Sequence, residues 1–238
     1  MFVVSTLSRE NYDLYAYRTI PTWLKYFPKD ATFFLYTDFE LPIKDSRIKY
    51  FQDSNQKKEF LNRNSNRIFP TKAKSYQTKW NTYCHKVFAQ CESADILNDS
   101  IMIFIDADVA LLKEVSESTV KGFLRDSFCS YVSRSNITTE TGLIFYDLSL
   151  DQEKHFFKEF LNVYLTDKIF NFSQWDDAYI FDEVRKSSSL KFTSMSGKYE
   201  DFVDPIAVGP LGEYFDHWLS KKSKRQGFSK HRKFREKI

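Results

Sequence analysis

Ile101-Met102-Ile103-Phe104-Ile105-Asp106-Ala107-Asp108 is the stretch on which the reading of this chain turns. Five apolar residues in a row, with no polar residue between them, predict a central strand buried on both faces. Two aspartates at i and i+2 then leave that strand and project to the same side. At the carboxyl end of a strand in an open α/β sheet, that side is where ligands bind. Neighbouring carboxylates repel, and each is costly to ionise beside the other. A divalent cation removes that cost, and hard oxygen ligands suit Mg²⁺ or Mn²⁺. A helix cap or a turn after the strand accounts for the same two residues, so their function depends on what surrounds them.

Outward from this strand, apolar runs alternate with helical patterns, the α/β signature. Phe2–Thr6 and Thr32–Thr37 read as strands, as do Phe128–Ser133 and Leu143–Tyr146. Asn11–Phe27 reads as a helix with Pro21 as a potential break. Thr71–Ser93 reads as a helix with Tyr76, Trp80, Tyr83 and Val87 on one stripe and Lys72, Lys79 and Lys86 on another. Asp151–Leu165 and Gln174–Lys186 are further helices, residues 44–70 carry no clear pattern, and the chain loosens after Pro205. The 238 residues suit one α/β domain with a mixed central sheet flanked by helices.

Composition closes off several classes. The six glycines form no G-x-G, and no G-K-[ST] occurs, so dinucleotide fingerprints and P-loops are absent. Cys84, Cys91 and Cys129 are an odd number without C-x-x-C, which argues against a disulfide framework or a zinc ribbon and for free thiols. The opening residues show no basic segment and no long apolar stretch; a cytoplasmic chain without a membrane span is expected. Net charge is +3, but residues 221–238 hold nine Lys or Arg against one Glu, a net +8, and the other 220 residues carry −5.

Five segments around the aspartate pair then occur in a telling order. Asn11-Tyr12 follows the first strand. His85-Lys86-Val87-Phe88-Ala89 precedes the aspartate pair in Phe104-Ile105-Asp106-Ala107-Asp108-Val109. Glu140-Thr141-Gly142-Leu143-Ile144-Phe145 and Trp175-Asp176-Asp177-Ala178-Tyr179-Ile180-Phe181-Asp182 come after it. Asp216-His217, clustered lysines and Gly227-Phe228-Ser229 close the series. Together they resemble the GT-A glycosyltransferases with a D-x-D motif, in particular family-8-like enzymes and small bacterial and phage members that use nucleotide-sugar donors. Ser220 and Ser223 stand where family-8 enzymes carry the Gly and Lys of H-x-x-G-x-x-K, although Lys221, Lys222 and Lys224 are adjacent.

The resemblance implies a single GT-A-type, Rossmann-like domain. Residues 1–125 would hold the nucleotide, about 126–220 the acceptor, and 221–238 would form a basic tail. It implies a metal-dependent transfer of a sugar from a UDP- or GDP-sugar to an acceptor hydroxyl, with Mn²⁺ or Mg²⁺ on Asp106, Asp108 and His217. Asp216 would orient the imidazole. Thr6 and Tyr12 would lie beside the donor, Tyr12 stacked on its base, with Lys86, Asp106, Lys221 and Lys224 near its diphosphate. Asp177 is the first candidate for a general base and Glu140 the second; a base is needed only if the anomeric centre inverts. The acceptor would be a glycan, a lipid-linked sugar or a small molecule.

Two other readings stay open to the residues. The basic tail suits an anionic membrane surface at the inner face or, less well, nucleic acid, with the aspartate pair a mere turn. A GT-A-like nucleotidyltransferase fits less well, because Thr6-Leu7-Ser8-Arg9-Glu10-Asn11 lacks the glycine-rich loop of that class.

Overall fold

A computed structural model of the chain describes residues 1–69 and 72–230. The strands are β1 (Phe2–Thr6), β2 (Thr32–Tyr36), β3 (Ile48–Phe51), β4 (Ile101–Ile105), β5 (Val109–Leu111), β6 (Cys129–Val132), β7 (Glu140–Asp147), β8 (Phe192–Ser194) and β9 (Phe215–His217). The helices are α1 (Arg9–Asn11), α2 (Tyr17–Tyr26), α3 (Asn55–Arg63), α4 (Ser75–Thr78), α5 (Trp80–Ile96), α6 (Glu117–Leu124), α7 (His155–Leu165), α8 (Asp177–Ser187) and α9 (Lys221–Gln226). No helix among the described residues is long and apolar enough to cross a membrane.

Seven strands form one mixed sheet in the order β3-β2-β1-β4-β7-β6-β8. The first four in that order run parallel, so their carboxyl ends share one edge; β7 runs antiparallel to β4. All of β4 is buried, as its composition predicts. Ile101, Ile103 and Ile105 join a core on one face of the sheet with Ile20 and Trp23 of α2 and Val120 of α6. Met102 and Phe104 join the core on the other face with Val87 and Phe88 of α5, Phe156 and Phe160 of α7 and Phe181 of α8. Strand alternation explains the split, and two covered faces explain the unbroken apolar run.

Several boundaries differ from the sequence reading. Pro21 sits inside α2 without ending it. A π turn over Tyr12–Ala16, closed by Tyr17 N–H to Tyr12 O, precedes it. The lysine-bearing helix begins only at Ser75 and is interrupted at Lys79, because the strongest core stripe (Trp80, Cys84, Val87, Phe88, Cys91) starts beyond that point; Thr71 lies outside the described residues. Residues 44–70 supply β3 and α3. In α3 the two buried residues are Lys57 and Phe60, too few for a periodic signal.

Residues 206–230 are also ordered. β9 pairs antiparallel with β5, matching Val109 with His217 and Leu111 with Phe215. Gly209 holds this return in place: its φ is +63°, and a Cβ there would stand 2.6 Å from Cδ2 of Tyr199. Gly209→Ala is expected to cost about 1–3 kcal/mol, from a disfavoured φ and an overpacked ring. Thermal unfolding reads this directly, and a variant as stable as the parent would show that the loop is not held there.

Candidate active site

The chain leaves β4 at its carboxyl end and is seized by α2. Thr19 Oγ1 donates to Ala107 O at 2.5 Å, Trp23 Nε1 donates to Val109 O at 2.7 Å, and Thr22 Oγ1 accepts from Leu111 N at 2.9 Å. On the other side, Asp106 N–H donates to Gly142 O at 2.8 Å, and Trp218 N–H donates to Asp108 O at 3.0 Å. Side chains of α2 and the main chains of Gly142 and Trp218 therefore fix the main chain of residues 106–111.

Gly142 leaves a gap in this frame. A Cβ there would lie 3.2 Å from Glu140 Oε1, 3.4 Å from Asp106 Oδ2 and 3.6 Å from His217 Cε1. Three of the residues singled out from sequence thus converge on one point, from β7, the end of β4 and β9.

Each carboxylate has cationic company. Lys86 Nζ, from α5, lies 2.8 Å from Asp106 Oδ2 and 3.3 Å from Asp177 Oδ2. Asp177 stands in the first turn of α8, after its N-cap Asp176, and also accepts from Thr141 Oγ1 at 2.6 Å. Lys224, from α9, lies 2.7 Å from Asp108 Oδ2 and over the Tyr15 ring, 4.7 Å from its centroid. His217 Nε2 is 3.5 Å from Asp108 Oδ1. Glu140 pairs with Arg134 Nη1 at 3.0 Å, while its Oε1 accepts from Gly142 N–H.

The electrostatics follow from these contacts. Burial pushes Asp106 up to about 6, helped by the charge on Asp108 and opposed by Lys86. Burial works the same way on Asp108, but His217 and Lys224 outweigh it and hold its pKa below the usual carboxylate range. Burial also works against charge on Lys86 and His217. Asp106 and Asp177 outweigh it for Lys86, and Asp204 and Asp108 for His217, so both are held above their ordinary values.

One sequence expectation needs correction here. Asp204, not Asp216, partners the imidazole: Asp204 Oδ1 is 3.0 Å from His217 Nδ1. Successive side chains on a strand point to opposite faces. Asp216 therefore faces away from the site, and its Oδ2 accepts from Trp218 Nε1 and Ser229 N–H. Tyr12 is 7% exposed and packs edge-on against Phe39, with ring centroids 5.7 Å apart. Lys221 is exposed in the first turn of α9, whereas Lys224 reaches the carboxylates. Residues 231–238 of the basic tail lie outside the described residues.

A cleft of about 840 Å³ opens along the same sheet edge, one strand over from Asp106. Thr6 and Asn11 line it at the end of β1, Asp38 after β2 and Asp53 after β3, with Thr82 and His85 from α5 opposite. The sequence reading placed Thr6 beside the donor but passed over His85. It also had no signal for Asp38, Asp53, Asp204 or Arg134, because their roles arise only from chain reversal.

The donor set of Asp106, Asp108 and His217 fits a hard dication chemically. Asp108 Oδ1 is buried with no hydrogen-bond partner, and His217 Nε2 stands beside it. Yet among the described residues no three His, Cys, Asp or Glu side chains stand at the spacing of a closed metal cage. Lysine ammonium groups hold Asp106 and Asp108 instead.

No protein-family model matches the sequence, and no curated protein sequence matches it. Solved structures do match. The galactosyltransferase LgtC, in complex with donor and acceptor sugar analogs, aligns with a TM-score of 0.58 at 11% identity, covering 100% of this chain and 100% of that one. The chain has the GT-A fold. An active-site mutant of LgtC gives a TM-score of 0.57 at 12% identity over 92% of this chain and 88% of that one. Mouse xyloside xylosyltransferase 1 in its apo form gives 0.51 at 9% identity over 82% and 84%. At these identities the likeness is one of fold. Within the GT-A sheet, the carboxylate pair and the cleft occupy the carboxyl edge of the parallel strands, where open α/β sheets bind ligands.

Proposed function

We propose that this protein is a glycosyltransferase that moves a sugar from a nucleoside-diphosphate donor, UDP- or GDP-linked, to an acceptor hydroxyl. The observation that carries the reading is the juxtaposition of the 840 Å³ cleft at the ends of β1–β3 with a cluster of paired acids and lysines at the end of β4. Residues 1–125 would bind the nucleotide and about 126–220 the acceptor, which is a glycan, a lipid-linked sugar or a small molecule. The LgtC structure, which holds donor and acceptor sugar analogs on the same fold, supports a transfer between two sugar substrates.

The nucleoside would lie in the cleft against Thr6, Asn11 and Asp38, and the diphosphate would point toward Asp106. Asp106, Asp108 and His217 would hold Mn²⁺ or Mg²⁺. When bound, such an ion supplies positive charge to the diphosphate. Lys86 and Lys224, which otherwise neutralise the acids, are within reach of the same anion. As the glycosidic C–O bond breaks, its electron pair leaves with the nucleoside diphosphate, and these ammonium groups stabilise the charge that develops. The acceptor oxygen bonds to the anomeric carbon and sheds its proton. Asp177 is our first candidate to receive that proton and Glu140 the second, although Lys86 and Arg134 hold them as orienting groups in the donor-free state. Three buried free thiols support a reducing cytoplasmic setting.

A thermal-shift panel tests the reading. UDP or GDP with Mn²⁺ is expected to raise the midpoint, since ligand at about 100 Kd adds roughly 2.7 kcal/mol. That is about 5–10 °C for a chain of this size. Asp38→Ala should shrink the shift, and Tyr12→Phe should leave it unchanged. A panel flat across all nucleotides and sugar nucleotides would defeat the proposal.

A further inference from the structure

We infer that Asp204 is a positioning residue for the cation site: it accepts the Nδ1–H of His217 and so leaves Nε2 turned toward Asp108 as the ring's ligating atom. This rests on the reading that Asp106, Asp108 and His217 hold a dication.

The two ring nitrogens of an imidazole are distinct, and the hydrogen bond made by one decides which of them is free to bind a metal. Here the two have different neighbours. Nδ1 is 3.0 Å from Asp204 Oδ1, and Nε2 is 3.5 Å from Asp108 Oδ1. The ring has no room to turn over, because His217 is 2% exposed and its strand is paired to β5 at Val109. A flip about its χ2 would put ring carbon against both carboxylates, Cδ2 toward Asp204 and Cε1 toward Asp108.

Asp204 is also poorly explained as a structural residue. It is 0% exposed, and its Oδ2 is buried without a hydrogen-bond partner. A half-satisfied buried carboxylate costs stability, and apolar residues of similar volume are often as stable or more so in such places. A role for Oδ1 at the imidazole accounts for what packing does not.

The loop that carries Asp204 is stapled in position from the far half of the sheet. Ser196 Oγ donates to Ser133 O at 2.7 Å, and Ser135 N–H donates to Glu200 O at 3.0 Å. Arg134 Nη1 reaches Val203 O at 3.4 Å and Glu140 Oε2 at 3.0 Å, so one guanidinium ties the Asp204 loop to β7 beside the site.

The test is Mn²⁺ binding to the full chain without donor, measured by titration and by electron spin-echo modulation, which detects a coordinated imidazole nitrogen. The wild-type protein should show that nitrogen. Asp204→Ala should bind Mn²⁺ about 10–100-fold more weakly and lose the nitrogen signal. Asp204→Asn, which keeps an oxygen acceptor, should retain the signal and most of the affinity. Asp204→Leu fills the same buried volume, and it serves as the loss variant if the alanine protein does not fold. Wild-type affinity and signal in a folded Asp204→Ala or Asp204→Leu protein would overturn the inference while leaving the cation reading intact; Mn²⁺ binding to the wild type without an imidazole signal would overturn the inference and remove His217 from the cation reading. Absence of any Mn²⁺ binding to the wild type would remove the cation reading itself, and the inference with it.

Discussion

Asp108→Ala is expected to lower metal-dependent hydrolysis of the sugar nucleotide by roughly 10²–10³-fold, the usual cost of removing one electrostatic stabiliser from a water-poor site. It should also abolish the thermal shift produced by Mn²⁺. The fold should survive, for two reasons. The β5–β9 join uses the main-chain oxygen of Asp108, which accepts from Trp218 N–H, and alanine keeps that oxygen. Lys224, deprived of its partner, is about one-fifth exposed and can extend its ammonium to water. Circular dichroism should therefore match the parent while activity falls. Full hydrolysis in the variant, or by the parent protein in excess EDTA, would count decisively against a cation at this site.

Lys86→Met has the opposite profile, with the larger effect on stability. The ammonium of Lys86 sits between Asp106 and Asp177, 5.7 Å from the centroid of the buried Phe104 ring. Methionine fills the stem's volume and leaves two carboxylates facing each other with no counter-charge. Breaking a buried pair by removing one partner costs about 3–5 kcal/mol; the partial exposure of both partners, 16% and 21%, places the expectation near the lower end. That is about 6–12 °C in the unfolding midpoint. In the metal-free protein the deficit should shrink toward acid pH. Asp106 already has a folded pKa of about 6, above its unfolded value, so the stability linked to its proton is present below about pH 4 and is lost as pH rises through 6. Without Lys86 that pKa rises further, and the loss at neutral pH deepens. A midpoint within 2 °C of the parent across pH 5–8 would mean that the lysine is not neutralising these acids.

Much of the fold was legible because long apolar runs allow few alternatives. β1, β2, β4, β6 and β7 were each visible as such runs, and α7 and α8 as periodic segments, with boundaries off by a few residues. The elements missed were short. β5, β8 and β9 have three residues each, and β5 and β9 exist only because each pairs with the other across about a hundred residues of chain. α3 is polar throughout except for Phe60 and Leu61, and it stands because Phe60 packs among Trp80, Phe88 and Tyr164. The site shows the same division. Asp106 and Asp108 were visible because they punctuate a buried strand. Asp204 was not, since nothing near it in the chain distinguishes it from any loop aspartate.

What the chain's linear order determined by itself was a doubly covered strand ending in two acids, because an apolar run of that length must be buried and charges at its end must leave the core. Which groups meet those acids was settled only in three dimensions. Lys86 comes from a helix before them, and Lys224 and His217 arrive from a segment more than a hundred residues later. Asp204, rather than the neighbouring Asp216, meets the imidazole, because a strand turns adjacent side chains to opposite faces and only the path of the folded backbone decides which face looks into the site.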